Sequence, residues 1–302
     1  MEKAVKSFVE LCAAKLGRLP GPVVEIGSLQ VEGQEGFADL RPFFPGREYI
    51  GCDFRPGPGV DRIENACALT FPDASAGTVL MMEVLEHCED PFAALREARR
   101  VLRPGGLLLI SSVMDFNIHG YPSDYWRFTP GGFELLLKDL PCRLADFLGR
   151  PLKPRNVLGA ALNGPETAGF ALLRRELARR HLELGERLRL AGNGVDAAGH
   201  FKHLAGWYPE EPEYRVAAAE TFVRSGAADL GLREIDAALE AGGHNGEDDA
   251  LLLSLAVLGC RALGRYGRAA GYLERMRASH PEHPDLPKLE ALLEKDREPV
   301  PA

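Results

Sequence analysis

This chain predicts two domains of different class: an α/β domain built on a doubly wound sheet of seven strands, followed by an all-α domain. Three observations carry that division. Residues 78–113 read as a buried strand, a loop, an amphipathic helix, a tight turn and a second buried strand. This is a βαβ unit, and its right-handed crossover places both strands in one parallel sheet. Short apolar runs of strand length recur through the first half, whereas from Glu176 the pattern is helical only. There the chain also matches itself at a spacing of 34 and then 38 residues.

The 302 residues suffice for a full α/β domain and something smaller. A composition 45% hydrophobic and 26% charged is that of an ordinary globular protein. The net charge of −8 disfavours broad electrostatic capture of nucleic acid. Cys12, Cys52, Cys67, Cys88, Cys142 and Cys260 lack CxxC spacing, so reduced cytosolic thiols are expected rather than disulfides or a zinc site. Residues 1–20 carry charges throughout and lack a signal-peptide core, and no uncharged stretch is long enough to span a bilayer. The expectation is a cytoplasmic protein without membrane insertion.

Taken in order, Val5, Phe8, Val9, Cys12 and Leu16 share one helical face, and Gly17 follows as a stop. Residues 23–27, VVEIG, form the first strand, and the turn 27–33 is where a doubly wound sheet holds its ligand. Glycine there lets the backbone approach, and the amides of a following helix are expected to face the ligand. Residues 28–32 interrupt the GxGxxG spacing, which disfavours a nicotinamide-dependent oxidoreductase. The second strand, 49–53, ends in Asp53, whose carboxylate can accept hydrogen bonds from both hydroxyls of a ribose. A solvated strand end or a helix cap is the alternative.

Residues 60–64 are a short third strand, and 78–84 the fourth, closed by Met82, Glu83 and His87. Asp90 caps a helix from Pro91 with Phe92, Leu95, Ala98, Val101 and Leu102 at helical spacing. Pro104-Gly105-Gly106 stops it, and 107–113 is the fifth strand. The loop 115–129 is rich in side chains that hold substrates: His119, Tyr121, Asp124, Tyr125, Trp126 and Arg127. The alternative is a clasp, with Trp126 and Phe128 packed on the core and Arg127 paired with an acid. Trp126 fits the clasp, and His119 and Asp124 fit a functional role. Thr129 caps a helix from Pro130 with Phe133, Leu135, Leu136, Leu137 and Leu140 as its apolar face. Strands 143–148 and 156–162 complete the sheet, and the domain ends near Asn163.

The segment EVLEHCEDPFAALREARRVLRPGG resembles the middle of class I S-adenosylmethionine (SAM)-dependent methyltransferases of the type 11-like group. That resemblance implies a Rossmann-like seven-stranded methyltransferase sheet with SAM as cofactor. The family usually shows (D/E)xGxGxG after its first strand; Glu25 and Gly27 match, Leu29 stands where the second glycine would be, and Gly33 is displaced. Glu25, Gly27, Ser28 and Gly33 then form the cofactor turn and Asp53 holds the ribose. Residues 65–73 resemble a family segment that reads the adenine edge, which assigns Asn65, in place of the usual Asp, and Ala66. Met82, Glu83 and His87 fall under the methionyl part, although His87 equally suits a structural tie from loop to helix. The PSDYWRFTP stretch is similar to loops of a bacterial subgroup associated with polysaccharide or secondary-metabolite pathways. It implies a small-molecule or glycan acceptor, methylated on oxygen or nitrogen. A base is needed only for a hydroxyl or a protonated amine; His119 is the first candidate, Asp124 and Tyr125 the next.

In the second half Gly192, Gly226 and Gly264 hold one turn position, Ala197, Gly231 and Ala269 a small site, and Phe201, Ile235 and Leu273 a large one. Gly185 and Ala219 are small at matching sites of the preceding helices. The pattern resembles tetratricopeptide (TPR) repeats, with Val257 at a usually small site and His181, Arg215 and Leu253 at one often held by Trp. Three degenerate repeats and a closing helix at 286–294 are expected. They either present a groove to a protein or peptide partner or only stabilise the enzyme. The expected organisation is a methyltransferase domain at 1–163, a linker helix at 164–177 and a TPR-like domain at 178–302. The rival from another class is a scaffold that binds SAM poorly or not at all and acts through its repeats.

Overall fold

The apolar runs of the first half assemble into one sheet in the computed structural model, which describes residues 2–17, 20–31, 33, 35–120 and 123–296. Its strands are β1 (Val23–Ile26), β2 (Tyr49–Asp53), β3 (Arg62–Ile63), β4 (Ala76–Met82), β5 (Leu102–Val113), β6 (Cys142–Arg150) and β7 (Lys153–Leu162). They lie in the order β3-β2-β1-β4-β5-β7-β6. Neighbours are parallel through β5, and β7 runs antiparallel to both β5 and β6, so the sheet is mixed. All seven residues of β4 are buried, as a central parallel strand covered on both faces requires. Strand order reverses between β1 and β4, the place where such sheets open a ligand crevice.

Three helices pack in this unit before its last strand pair: α1 (Lys3–Leu16), α2 (Pro91–Val101) and α3 (Pro130–Leu136). The Asp90 carboxylate accepts the Ala93 amide at 2.8 Å, and the Thr129 hydroxyl accepts that of Gly132 at 3.0 Å, so both expected caps form. One sheet face presents Val24, Ile26, Val79, Met81, Leu108 and Ile110 to Leu95, Ala98 and Val101 of α2 and to Phe133 beyond. Alternation sends Val23, Glu25, Leu80 and Leu109 to the other side.

Several expectations change. The buried stripe of α2 runs through Pro91, Ala94, Leu95, Ala98 and Val101, which leaves Phe92 off it and 51% exposed. Leu135 of α3 is likewise exposed. The helix stops at Val101, ahead of Pro104, whose ring and missing amide exclude a further helical turn. Leu102 therefore begins β5, and Pro104, Gly105 and Gly106 sit in a bulge of that strand, bonded to Asn163. Among the described residues no α-helix follows β1: the stretch 27–48 holds only a 3-10 turn, Arg41–Phe43. Gly33, Gly36 and Gly46 take positive φ there, and Pro42 and Pro45 break what remains. Side chains fasten the loop instead. Lys6 donates to the Phe37 carbonyl at 2.9 Å, and Arg41 reaches the Gly59 carbonyl at 3.0 Å and Asp61 at 2.6 Å.

The chain divides into two compact units after Glu176. Helix α4 (Ala168–Leu190) runs through that division, so the segment expected as a linker helix is the start of a longer one. The second unit continues with α5 (Gly194–Trp207), α6 (Pro212–Arg224), α7 (Ala228–Ala241), α8 (Gly246–Ala262), α9 (Tyr266–Ser279) and α10 (Leu286–Lys295). Each helix from α5 to α9 packs on the next, and α10 closes on α8 and α9. Gly192, Gly226 and Gly264 have φ of 80°, 82° and 67° and each ends a helix before a tight return, where a left-handed residue is needed. Ala197, Gly231 and Ala269 are buried, as are Phe201, Ile235 and Leu273. Val257 is fully buried too, so that site accepts a branched residue.

Candidate functional site

Sheet register gathers the strand tips. Ile26 stands opposite Cys52 and Met81, and Met81 opposite Ile110. One residue further come Gly27, Asp53, Met82 and Ser111. The amides of Gly27 and Ser28 both donate to the Cys52 carbonyl, at 2.7 and 2.9 Å. Gly27 has φ +84°, and a Cβ there would lie 2.3 Å from Val84 Cγ2. The turns after β1 and β4 thus meet where the strand order reverses. Beside that contact, the Ser28 hydroxyl is buried and has no partner. Residues 28–30 pack on 57–59, with Gln30 N donating to the Pro58 carbonyl at 2.9 Å. Gly33 lies apart, in an exposed turn with φ +78° and open space where a Cβ would stand.

Asp53 is largely buried, with Oδ1 accepting the Arg55 amide at 3.0 Å and its backbone carbonyl accepting the Glu64 amide at 2.9 Å. Phe54 beside it is exposed. Asn65 Oδ1 accepts the Cys67 amide at 2.9 Å, which leaves Nδ2 as its donor; Ala66 packs on the core behind. The loop carrying them is fastened to α2. Glu97 accepts the Leu69 amide at 2.8 Å, and Arg100 donates to the carbonyls of Leu69 and Phe71 at 2.8 and 2.9 Å while pairing with Asp73. Glu97 and Arg100 of the REARRVLRPGG stretch therefore shape this loop.

Glu25 is buried and accepts the Tyr49 hydroxyl at 2.8 Å. Burial pushes its carboxyl up to about 7, against the opposing pull of Tyr49 and Arg41. Folding thus favours the protonated form. This contribution is intact below the ordinary carboxyl value near 4.5 and is lost as pH rises towards 7, by on the order of 3 kcal/mol. Glu25→Gln keeps the Tyr49 bond without a charge and should flatten that loss. Urea midpoints at pH 5 and pH 8 check it: the variant should gain on its parent at pH 8 only, and an equal difference at both pH values would refute the assignment.

At the other half of the strand row, Glu83 takes φ +55° and donates its amide to the Ser111 carbonyl and hydroxyl, both at 3.0 Å. Its Oε1 accepts from Asn156 Nδ2 at 2.9 Å. Glu86 is wholly buried: Oε2 accepts the Ser112 hydroxyl at 2.8 Å and Oε1 has no partner. Burial pushes this carboxyl, too, up to about 7. The loop 115–129 is tied to the segment 84–88. Tyr125 N donates to the Glu86 carbonyl at 2.8 Å, Trp126 Nε1 to that of Cys88 at 2.9 Å, and His87 Nδ1 lies 2.6 Å from the carbonyl of Ser123. His87 thus ties this segment to the loop 115–129, not to the start of the helix that follows it. Trp126 is 39% exposed and held through its ring nitrogen rather than packed in the core; Phe128 alone of that pair is buried, its ring 5.7 Å from Phe133.

Within the loop, the Asp124 side chain is 1% exposed, chelates Arg127 and accepts the His119 amide at 2.9 Å. The guanidinium holds its carboxyl far below the usual range. His119 Nδ1 lies 3.1 Å from the same carboxylate, and its ring meets those of His87 and Phe116 edge-on at 4.9 and 5.0 Å. Tyr125 is half exposed, its hydroxyl 3.4 Å from Glu89. Tyr121 lies outside the described residues. Sequence reasoning missed Glu86, Ser111, Ser112 and Asn156 as site residues. The signal for Ser111, Ser112 and Asn156 was polarity inside apolar strand runs, LLLISSV and NVLGAAL.

A family profile described as a methyltransferase domain matches residues 47–110. The chain is 27% identical over 117 residues to a ubiquinone biosynthesis O-methyltransferase of Parvibaculum lavamentivorans, covering 37% of this chain and 44% of that protein. It is 35% identical over 100 residues to a probable S-adenosylmethionine-dependent methyltransferase of Mycolicibacterium smegmatis, covering 30% and 37%. The alignments thus span less than half the length of these curated relatives. Among solved structures it is similar to the 1,6-didemethyltoxoflavin-N1-methyltransferase of Burkholderia thailandensis, with a TM-score of 0.42 and 17% identity, over 54% of this chain and 80% of that one.

Proposed function

We propose that the first unit is a SAM-dependent methyltransferase acting on an oxygen or nitrogen of a small-molecule or glycan acceptor. The observation that carries this is the turn at the strand-order reversal. There a glycine that admits no side chain and a buried, unpartnered Ser28 hydroxyl adjoin the Asp53 carboxylate at the next strand tip. An orphaned hydroxyl and an acceptor-only carboxylate fit a ligand that brings hydroxyl and amine groups. The matched domain, residues 47–110, supports the same cofactor. Bound SAM supplies a methyl group on a positively charged sulfur, with a neutral thioether as leaving group.

In this reading Gly27 and Ser28 line the turn, Gly33 stands at its exposed outer end, and Glu25 stiffens it from behind through Tyr49. Asp53 accepts the ribose hydroxyls. Asn65 and Ala66 meet the adenine edge, with Asn65 Nδ2 as donor. Met82, Glu83 and His87 floor the methionyl part. Aligning acceptor and methyl is the main work of such a site, and His119, Asp124 and Tyr125 serve it from the acceptor side. Asp124 is committed to Arg127 and His119, so its part is to position His119; His119 and Tyr125 are left to meet the acceptor. The second unit we read as three TPR-like helix pairs and a closing helix, supported by the left-handed turn glycines at Gly192, Gly226 and Gly264 and presenting a surface to a protein or peptide partner. A cytoplasmic setting suits this reading; among the described residues no helix is long and apolar enough to cross a membrane.

Calorimetry with SAM tests the cofactor assignment. Asp53→Ala loses charge-assisted bonds to two hydroxyls and should bind at least about tenfold more weakly; unchanged affinity would remove Asp53 from the site. A second reading, a scaffold that acts through its helices, draws on the helix missing after β1 among the described residues. It requires that the parent protein bind SAM poorly or not at all.

A further inference from the structure

We propose that Glu86, His87 and His119 form a binding site for one divalent transition-metal ion of the manganese-to-zinc series. One potential ligand atom from each residue lies within 4.8 Å of the other two. Ligands around a single ion at about 2.0–2.2 Å stand closer than that to one another, so small side-chain rotations complete the set.

The surroundings are arranged as a metal site arranges them. His87 Nδ1 lies 2.6 Å from the Ser123 carbonyl, which makes Nδ1 the protonated nitrogen and leaves the lone pair on Nε2. His119 Nδ1 lies 3.1 Å from the Asp124 carboxylate and 3.2 Å from the Asn117 carbonyl, with the same consequence. Metal-binding imidazoles are oriented through their second nitrogen in this way. Arg127 in turn locks Asp124, so the imidazole's own orienting group is fixed. Glu86 is wholly buried, bonds Ser112 through Oε2 and keeps Oε1 without a partner. A buried carboxylate oxygen with no donor is costly unless a cation meets it.

Two imidazoles and one carboxylate suit Mn, Fe, Co or Zn better than Mg or Ca, which prefer oxygen alone. Three protein ligands also leave coordination positions open, as sites that take a substrate do. That these positions receive the methyl acceptor rests on the methyltransferase reading; the binding itself does not. As ligands, His119 would no longer serve as the base and His87 would leave the methionyl floor to Met82 and Glu83.

The experiment is a cobalt titration of chelator-treated full-length protein, followed by visible absorption, with zinc competition to fix the stoichiometry. One ion per chain is expected. Glu86→Gln and His119→Ala should each weaken binding by at least about tenfold, and Asp124→Asn by a similar factor through His119. SAM calorimetry on the same variants should change less than about twofold, which keeps a failed metal site distinguishable from a failed cofactor site. His119→Ala, in a half-exposed loop position, carries the test if Glu86→Gln does not fold. Absence of a cobalt spectrum, affinity unchanged from the parent in both ligand variants, or thiolate charge-transfer bands that assign the ion to cysteines would each overturn the proposal.

Discussion

Gly27→Ala is expected to destabilise the sheet unit by about 2–5 kcal/mol and to abolish measurable SAM binding. Two independent effects add. A φ of +84° is disfavoured for any residue with a Cβ by roughly 1–2 kcal/mol. The new methyl would also stand 2.3 Å from Val84 Cγ2, and a β-branched side chain has few rotamers with which to withdraw. Overpacking of that kind costs about 1–3 kcal/mol. Val84→Ala in the same chain should restore the steric share and leave the backbone share. A double-mutant cycle by urea denaturation measures the coupling directly. Strict additivity of the two substitutions would show that Gly27 is required for its backbone alone.

The sheet was legible because its strands are continuous apolar runs closed by glycine or an acid, as at VVEIG and YIGCD. Burial on both faces leaves such a strand little freedom of composition. The caps at Asp90 and Thr129 were equally plain, since a cap needs only its own residue and the amides that follow. The stretch after β1 was not legible. Nothing local announces that Arg41 will reach Gly59 and Asp61 and hold as a loop what a helix usually fills. Antiparallel β7 was hidden for a related reason, because strand direction is set by the hairpin between β6 and β7 and not by residue pattern. At the site, His119 and Asp124 stood out as polar residues in an aromatic loop, but their division of labour did not. Only the chelation of Arg127 marks Asp124 as a positioning residue, and that partner is chosen by loop conformation. Glu86 was masked by its own burial. A carboxylate inside EVLEH reads as motif, and its unpartnered oxygen appears only once Ser112 and the loop are in place.

The helical unit offers the sharpest test of what the repeat positions mean. Phe201 is 1% exposed and packs with Ala197 and Ala218, and a Cβ on Gly185 would lie 2.7 Å from its ring. Phe201→Ala should therefore destabilise this unit by about 3–5 kcal/mol, the range for an aromatic ring removed from a core. Gly185→Ala alone should also destabilise, because the ring cannot withdraw from the added methyl without disturbing its neighbours. In the Phe201→Ala background that obstacle is gone. There Gly185→Ala refills part of the cavity and gains up to about 1 kcal/mol of helix propensity, so its sign should reverse. Denaturation of the parent, both single variants and the double variant decides the matter. A Gly185→Ala effect of the same sign in both backgrounds would mean that glycine is there for the helix backbone and not for the close approach of α4 and α5.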